Sequence, residues 1–383
     1  MTERTYRDTS PRSGGSTHSR QRRRAAARRK RQRRLVPLAL GLLLIVLITV
    51  FATNSSDASP SPGTDSFAGE ESTATTEALP IVDPAVVAAQ AQANEMGEVM
   101  VLMYHLIGYD DSEYNRTPEE FRQDIAALKA AGYYPVNLRD LVSGDIEVPA
   151  GKSPVVITFD DSSGGQYRIG TDGRLDPDCA VAIMQAAVAE GAWASRASFY
   201  PLLDVDAPDH VLFGQPELAE SKLQQLVTWG YEIGSHTISH LNLKKASSAE
   251  IKKQLYVSQQ SLEEMIGGGY RVTTLAAPFG AYPSQASILK SGSHEGQTYE
   301  YDASLKATGG ACPSPFSTGF QAYHIPRIQV SGTSLADALA AYEKNPQLRY
   351  VSDGDPTTIS VPANLDADLG SLGSGPSLTV VRY

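Results

Sequence analysis

The stretch Pro154-Val-Val-Ile-Thr-Phe-Asp-Asp161 decides the fold, because an apolar strand runs straight into two carboxylates. Neighbouring side chains in a strand point to opposite faces, so Asp160 and Asp161 can both enter one site only where the strand ends. They stand at that end. The stretch therefore predicts a buried strand with acidic chemistry at its carboxyl end, and a solvated acidic turn is the alternative that it leaves open by itself.

The same alternation of apolar strands and amphipathic helices continues on both sides of this stretch. We predict strands at 99–104, 154–159, 196–200, 231–234 and 273–277, and helices at 117–131, 177–190, 217–229, 248–265 and 335–342. Strands separated by helices are typical of βαβ units and a mostly parallel sheet. The expected fold class is α/β, with a closed or nearly closed β/α barrel first and an open doubly wound sheet second.

Two histidines, His236 and His240, follow the predicted strand 231–234. On a helical turn this spacing puts both imidazoles on one face, where they can chelate one metal ion. The aspartates also follow a strand, so we expect both groups on the same rim of the sheet. One carboxylate, two imidazoles and an open position for water form a catalytic site for Zn²⁺ or a similar divalent ion.

Two further segments are expected on this rim. His105 directly follows the first strand, although a single histidine is more often structural. Ala277-Pro-Phe-Gly280 closes strand 273–277 and is only a turn signal by itself.

Three of these segments together resemble a known family. Thr158-Phe-Asp-Asp161, Ser235-His-Thr-Ile-Ser-His240 and Pro278-Phe-Gly280, in that order, are similar to the first three motifs of the polysaccharide deacetylases, the NodB-homology or carbohydrate esterase family 4 enzymes. The Tyr104-His105 pair is similar to the branch of poly-N-acetylglucosamine deacetylases. The resemblance covers about residues 98–330.

The resemblance implies a distorted (β/α) barrel of the NodB-homology type that deacetylates a polysaccharide. It also implies a role for each matched residue: a metal held by Asp161, His236 and His240, Asp160 as catalytic base, His105 as acid, and an oxyanion site at Pro278, Phe279 and Gly280. The implied cofactor is a divalent metal, Zn²⁺ first, with Co²⁺ or Ni²⁺ accepted by the same ligands.

The sequence departs from the family pattern at several places. The third motif usually begins with an arginine that orients the base, but Ala276 stands there, and Arg327 is the candidate to replace it from another strand. The late motifs, an aspartate paired with tryptophan and a leucine-x-histidine, are not recognisable, and His324 does not match them. Residues 162–178 are longer than expected after the first motif and are expected to reshape the groove.

Charge and hydropathy divide the chain into parts. Residues 1–34 hold thirteen Lys and Arg against two acids, a charge of +11, so the rest of the chain carries −21 of the total of −10. Leu35 to Ala52 is uncharged and as a helix would span roughly 27 Å. Basic residues on one flank keep that flank in the cytoplasm, so the remainder is expected to be exported.

We therefore predict a basic cytoplasmic segment at 1–34, a transmembrane helix at 35–52 and a disordered Ser/Thr/Pro-rich linker at 53–97. The catalytic domain follows at 98–350 and a Gly/Ser-rich extension at 351–383. The expected location is the cell membrane, with the catalytic domain outside, and the alternative is secretion after cleavage near Ala52. Outside the membrane a disulfide between Cys179 and Cys312 is an open alternative to two unpaired core cysteines.

The sequence lacks a Walker loop, a dinucleotide fingerprint after a strand and an H-E-x-x-H motif, which disfavours nucleotide-dependent and thermolysin-like chemistry. The basic run is interpreted as a topology signal, not as a nucleic-acid site. The predicted function is metal-dependent removal of N-acetyl groups from an extracellular N-acetylglucosamine-containing polysaccharide: peptidoglycan, poly-N-acetylglucosamine or a chitin-like polymer. The alternatives are a catalytically impaired, membrane-tethered glycan-binding protein, because Ala276 replaces the usual arginine and the late motifs are missing, and an O-acetyl ester hydrolase of the same fold.

Overall fold

The computed structural model describes residues 83–374 and 378–383. The predicted segments 1–34 and 35–52, and most of the predicted linker, lie outside these residues. Within the described part of the chain, no helix combines the length and the apolar character needed to cross a bilayer.

Strands and helices alternate along the described chain, as the sequence predicts. The strands are β1 Met100–Tyr104, β2 Leu106–Ile107, β3 Asn115–Arg116, β4 Tyr133–Val136, β5 Ser153–Asp160, β6 Ser198–Tyr200, β7 Glu232–Ile233, β8 Thr274–Ala276, β9 Ser291–His294, β10 Gln297–Glu300, β11 Ala303–Leu305, β12 Ile328–Gln329, β13 Thr358–Val361 and β14 Thr379–Arg382. The α-helices are α1 Pro84–Ala91, α2 Pro118–Ala130, α3 Leu138–Ser143, α4 Ala180–Ala189, α5 Ala219–Trp229, α6 Ser248–Ile266 and α7 Ser334–Lys344.

The parallel strands close into a barrel. The main sheet runs in the order β12-β1-β5-β6-β7, with β4 also paired to β5. A parallel bridge between Ser235 and Leu275 joins the end of β7 to β8, which pairs with β11. A second bridge, Leu305 to Ile325, returns the circuit to the segment that enters β12. The closed arrangement, the first of the two predicted, is the one observed.

Alternate residues of the barrel strands pack into two different cores. Leu102, Ile157 and Phe199 share the outer core with helix residues such as Phe121 and Leu128. Their strand neighbours pack together in the other core, which includes Val101, Val156, Tyr200, Ala276 and Leu305. Since side chains alternate across a strand, the second core lies on the inner face of the barrel. Asp160, two and four residues after Thr158 and Val156, belongs to the same inner face.

Helix α2 begins where its sequence signals predict. The Thr117 hydroxyl accepts a hydrogen bond from the Glu120 N–H at 3.2 Å, and the Glu120 carboxylate accepts one from the Thr117 N–H at 2.8 Å. This reciprocal capping box satisfies two donors at the helix end. Phe121, Ile125 and Leu128 are buried on one face. The Phe121 ring lies 5.1 Å from that of Tyr104 in β1 and 5.8 Å from that of Phe159 in β5, so the helix packs against these two strands.

Three departures from the predictions concern α1, β13 and β4. The predicted linker 53–97 contains the ordered helix α1, so the folded part begins by residue 83 and not at 98. The predicted extension 351–383 contributes β13, whose residues Ile359 and Val361 are fully buried in the inner core. β4 had no prediction, because Tyr133–Val136 is a short segment interrupted by proline. Tertiary burial outweighs the weak local pattern in all three.

The two cysteines are free. Cys179 is buried in the outer core and Cys312 in the inner core, and no disulfide joins them.

Candidate active site

The carboxyl ends of β1 and β5 and the turns after β7 and β8 meet at one mouth of the barrel. A cavity of about 480 Å³ opens there. The predicted site residues that line it are His105, Asp160, Asp161, His236, His240, Phe279, Gly280 and Arg327. Residues separated by more than 200 positions in the chain are thus brought to one place by parallel strands that end at the same edge.

Asp161, His236 and His240 form a cluster with the spacing of a metal site. The Asp161 Oδ1 lies 3.3 Å from the His236 Nε2 and 3.6 Å from the His240 Nε2. One ligand atom from each of the three residues lies within 4.8 Å of the others. This donor set, with a fourth position open, is that of catalytic zinc sites.

The hydrogen bonds around the cluster test whether it fits a cation. The His236 Nδ1 is 2.8 Å from the Ala276 carbonyl oxygen, so Nδ1 donates and the Nε2 lone pair is free to bind an ion. The Asp161 Oδ1 is buried and has no hydrogen-bond partner among the described residues. An unpartnered carboxylate oxygen facing two imidazole nitrogens is costly unless a cation or a proton lies between them. The residues present therefore fit a divalent metal ion.

The pKa values within the cluster are set by burial and by the charged groups that lie close together there. Burial disfavours the charged form of His236, but Asp160 and Asp161 outweigh it and raise the pKa of that imidazole. Burial also opposes ionisation of Asp161, but the neighbouring histidines hold the pKa of its carboxyl below its usual range. Burial, aided by His236, lowers the pKa of His240 to about 4.

Asp160, next to the cluster residue Asp161, forms a buried ion pair with Arg327. The two side chains are 2% and 1% exposed. The Arg327 guanidinium donates to both carboxylate oxygens of Asp160, at 2.8 Å and 2.7 Å. It also donates to the Lys306 carbonyl oxygen at 2.6 Å and to the Thr158 hydroxyl at 3.1 Å. Burial opposes ionisation of Asp160, but Arg327 and His236 outweigh it and hold its pKa below the usual range.

Arg327 therefore contacts Asp160 in the way expected of the arginine that usually begins the third motif. Ala276 is fully buried and carries no charge, while Arg327 approaches from the segment that enters β12. A bidentate arginine fixes the plane of a carboxylate as well as its charge. The structure thus brings the residue proposed as a replacement into direct contact with Asp160.

His105 follows β1 and lines the same cavity. Its carbonyl oxygen accepts hydrogen bonds from the Gln166 Nε2 at 2.7 Å and the Ser163 Oγ at 3.3 Å. Burial lowers the pKa of its imidazole, with Asp160 and Asp161 acting in the opposite direction.

The two cluster histidines do not lie on a helical turn, as the sequence analysis expected. They flank a turn at 237–239, and Thr237 within the turn and His240 directly after it have positive φ. Asp161, Ser162 and Phe279 share this backbone region, which non-glycine residues rarely adopt. Five of the ten such residues in the described chain are therefore at this mouth, as is common where function requires a strained backbone.

The segment Pro278-Phe-Gly280 forms a single turn beside the cluster. Phe279 has a φ of 59° and is 63% exposed, and its ring lies 4.3 Å from the His240 ring in an edge-on arrangement. Gly280 also has positive φ, and a Cβ there would lie 2.8 Å from the Ala307 backbone nitrogen. The turn thus requires glycine for both conformation and space.

Tyr114 and His210 are among the cavity residues that the sequence analysis did not name. Tyr114 lies with its ring 5.0 Å from that of His105, and His210 borders the cavity from a short 3-10 turn. Neither follows a predicted strand or belongs to a motif, so no local signal could have identified them. His324 is stacked on Tyr282 at 4.8 Å and is not among the residues lining the cavity.

A closed parallel barrel with an Asp-His-His cluster and a buried carboxylate at its mouth defines a hydrolase-type α/β barrel. Residues 147–295 match the family model described as polysaccharide deacetylase. Over residues 147–295, which contain all three motifs, this match confirms the resemblance and the class of enzyme that it implies. No curated protein matches the chain by sequence.

Solved structures of deacetylases are similar to this chain. BC0361, a polysaccharide deacetylase from Bacillus cereus, is 21% identical, with a TM-score of 0.49 over 64% of this chain and 68% of its own. IcaB from Ammonifex degensii is 19% identical, with a TM-score of 0.46 over 64% and 96%. The Streptococcus pyogenes deacetylase PplD is 19% identical, with a TM-score of 0.46 over 63% and 97%.

Proposed function

We propose that this chain removes N-acetyl groups from an extracellular polysaccharide that contains N-acetylglucosamine, with a divalent ion held by Asp161, His236 and His240. The observation that carries the proposal is the pairing of Asp160 with Arg327 directly beside that cluster. It supplies an ionised, oriented base where the family places one. Zn²⁺ is the proposed ion, and Co²⁺ or Ni²⁺ would suit the same ligands.

A divalent cation bound there supplies Lewis acidity, which lowers the pKa of a water from about 15.7 towards 7 and polarises an acyl oxygen.

The protein's own groups would divide the proton transfers. Asp160, held in plane by Arg327, accepts a proton from the water that attacks the acetamide carbon. A backbone N–H near Phe279 donates to the oxygen that becomes negative. His105 gives a proton to the nitrogen as the C–N bond breaks, so that acetate and a free amine leave.

The Arg327–Asp160 contact also bears on the alternative of an inactive glycan-binding protein. That alternative rests on Ala276 standing where an arginine is usual and on the missing late motifs. A buried guanidinium nevertheless contacts the base, which argues against the first of these two grounds.

The test is acetate release by the full chain from poly-N-acetylglucosamine, peptidoglycan, chitin oligomers and acetylated xylan, with and without chelator. We expect release from at least one N-acetylated glycan and its loss on chelation. Metal binding without release from any glycan would favour the binding protein, and release from xylan alone would favour the O-acetyl esterase.

We also propose that residues 35–52 remain as a membrane anchor with residues 1–34 in the cytoplasm and the catalytic domain outside the cell. The charge pattern supports this topology. Membrane fractionation followed by amino-terminal sequencing tests it, since a mature chain that begins near Thr53 would contradict a retained anchor.

A further inference from the structure

A second cavity of about 380 Å³ adjoins the catalytic one. Leu106 and His210 line both cavities, so the two are neighbours across these side chains. The second cavity lies between the loop that follows β2 and the segment 162–178, which is the segment longer than expected after the first motif. Its size is within the range of small-ligand sites.

The wall between the cavities is tied to the catalytic residues. Gln166 is fully buried and its Nε2 donates to the carbonyl oxygens of Asp160 at 2.5 Å and His105 at 2.7 Å. The Ser162 hydroxyl donates to the His210 carbonyl oxygen at 2.7 Å. The position of the second cavity relative to the reacting groups is thus fixed by hydrogen bonds.

An exposed aromatic ring lies at the edge of the second cavity. Tyr109 lines it and is 69% exposed, yet its hydroxyl donates to the Glu119 carboxylate at 3.0 Å. Glu119 lies in the first turn of α2, which the capping box holds in place. A largely exposed aromatic ring that is held at its hydroxyl end is suited to contact a ligand.

A sugar has both an apolar face and polar hydroxyls, which match the aromatic ring and the polar lining of the second cavity. The C–H face of a pyranose packs against the electron-rich face of an aromatic ring, and its hydroxyls need polar partners. The cavity lining offers those partners in Asp110, Arg168 and Asp209.

Building on the proposed deacetylase function, we propose that the second cavity binds the neighbouring sugar of the same polymer, stacked on Tyr109, while the acetamide of the reacting sugar occupies the catalytic cavity. His210 then lies where the glycosidic link crosses from one cavity to the other. The enzyme would therefore select polymers over single sugars.

The test uses N-acetylglucosamine oligomers of one to six units with the full chain and its Tyr109→Ala and Tyr109→Phe variants. We expect Tyr109→Ala to lower kcat/KM for the longer oligomers by up to about tenfold, mainly through KM, and to leave the monosaccharide rate as it was. Tyr109→Phe should retain most of the rate because it keeps the ring. Leu348→Ala, a change at another exposed apolar residue outside both cavities, is the matched control.

Calorimetric binding of the hexamer in the presence of chelator separates this proposal from the proposed function. Binding that weakens in Tyr109→Ala, without acetate release by the parent, would support the sugar site while the deacetylase function fails. Acetate release with the same dependence on oligomer length in parent and Tyr109→Ala would overturn the site while the function stands. Unchanged affinity in Tyr109→Ala, or no binding to the parent, would also overturn it.

Discussion

Asp160 and Asp161 are neighbours in sequence with opposite environments. Asp160 has both carboxylate oxygens bound by a buried guanidinium, whereas Asp161 has an oxygen without a hydrogen-bond partner among the described residues, directed at two imidazoles. The environment of Asp160 keeps its carboxylate ionised and immobile, and the environment of Asp161 favours the binding of a cation. The two residues therefore suit the roles of base and ligand, in that order.

Changing Asp160 should separate these roles. We expect Asp160→Asn to lower acetate release by about 10² to 10⁴-fold, because the proton acceptor is lost while the ligand set is untouched. Metal content, measured by elemental analysis after dialysis, should stay at the level of the parent. Asp161→Asn is the matched comparison and should lose metal; the reverse pattern would mean that the roles are exchanged.

Arg327 offers a second prediction at this scale. Arg327→Met should leave the buried Asp160 without its cation, which costs about 3 to 5 kcal/mol when one partner of a buried pair is removed. Urea denaturation would measure the loss of stability and acetate assays the loss of rate. The double variant Arg327→Met with Asp160→Asn should recover part of the stability, and no recovery would show that the two groups do not depend on each other.

The sequence could predict the residues that follow long strands but not all of their contacts. Asp161, His236 and His240 were predicted together because each follows a strand. Arg327 was named only through a resemblance, since it reaches Asp160 across 167 positions in the chain. His210 and Tyr114 come from loops whose paths depend on packing that a single sequence does not reveal.

At the scale of elements, the segment after the paired aspartates packs unusually closely on β2. A Cβ on Gly165 would lie 1.8 Å from the Ile107 carbonyl oxygen. This close approach is what allows Gln166 to reach the carbonyl oxygen of His105. Glycine at this position therefore sets the distance between two loops of the site.

Gly165→Ala should push these loops apart. We expect a loss of about 1 to 3 kcal/mol, as for overpacking in a dense region, together with a lower kcat. Thermal denaturation and acetate assays are the measurements. Gly319→Ala is the control, because its Cβ would meet only ordinary contacts at 3.5 Å or more; equal effects of both changes would contradict the interpretation.

The long amphipathic elements were predictable one by one, whereas the short strands that close the barrel were not. Helices α2, α5 and α6 carry clear apolar periods or caps, and their predicted positions agree within a few residues. The ring is completed by β11 and β12, of three and two residues, and by isolated bridges at Ser235 and Leu305. Such short pairings leave no periodicity to detect.

At the scale of the whole molecule, the start and the end of the folded chain are joined through Glu95. This side chain is 2% exposed and accepts hydrogen bonds from the Ser360 N–H at 2.8 Å and the Tyr350 hydroxyl at 3.2 Å. Asp353 adds a second carboxylate, whose Oδ2 accepts hydrogen bonds from the Thr358 and Ser360 hydroxyls. Burial, with Asp353 nearby, raises the pKa of Glu95 to about 8.

The raised pKa of Glu95 predicts that the folded state loses stability as the pH rises from about 4.5 to about 8. The unfolded chain releases the Glu95 proton near pH 4.5 and the folded chain near pH 8, so this contribution to stability is complete below pH 4.5 and declines as pH rises to about 8. The loss is about 3 to 5 kcal/mol. Urea denaturation of the parent and of Glu95→Gln at pH 5 and pH 8 measures it; the variant should lose less stability between the two, and equal losses would contradict the assignment.

The sequence did not reveal this junction. Residues 83–97 have no sustained apolar period and were therefore assigned to the linker, yet Ala88 and Ala93 pack against Val381. A helix of small residues gains its stability from a partner almost 300 positions away. Only the tertiary structure identifies that partner.

Tyr383 is part of the same junction, and this matters for handling the protein. The Tyr383 hydroxyl donates to the Ala93 carbonyl oxygen at 2.7 Å, just ahead of the amino end of β1, whereas the catalytic cavity opens past the carboxyl end of that strand. A tail attached at Tyr383 would leave the protein from this junction, and Tyr383 is not among the residues that line the catalytic cavity. Coupled to a sensor chip through such a tail, the molecules would present their grooves to the flowing solution, and soluble glycan fragments would have unobstructed access.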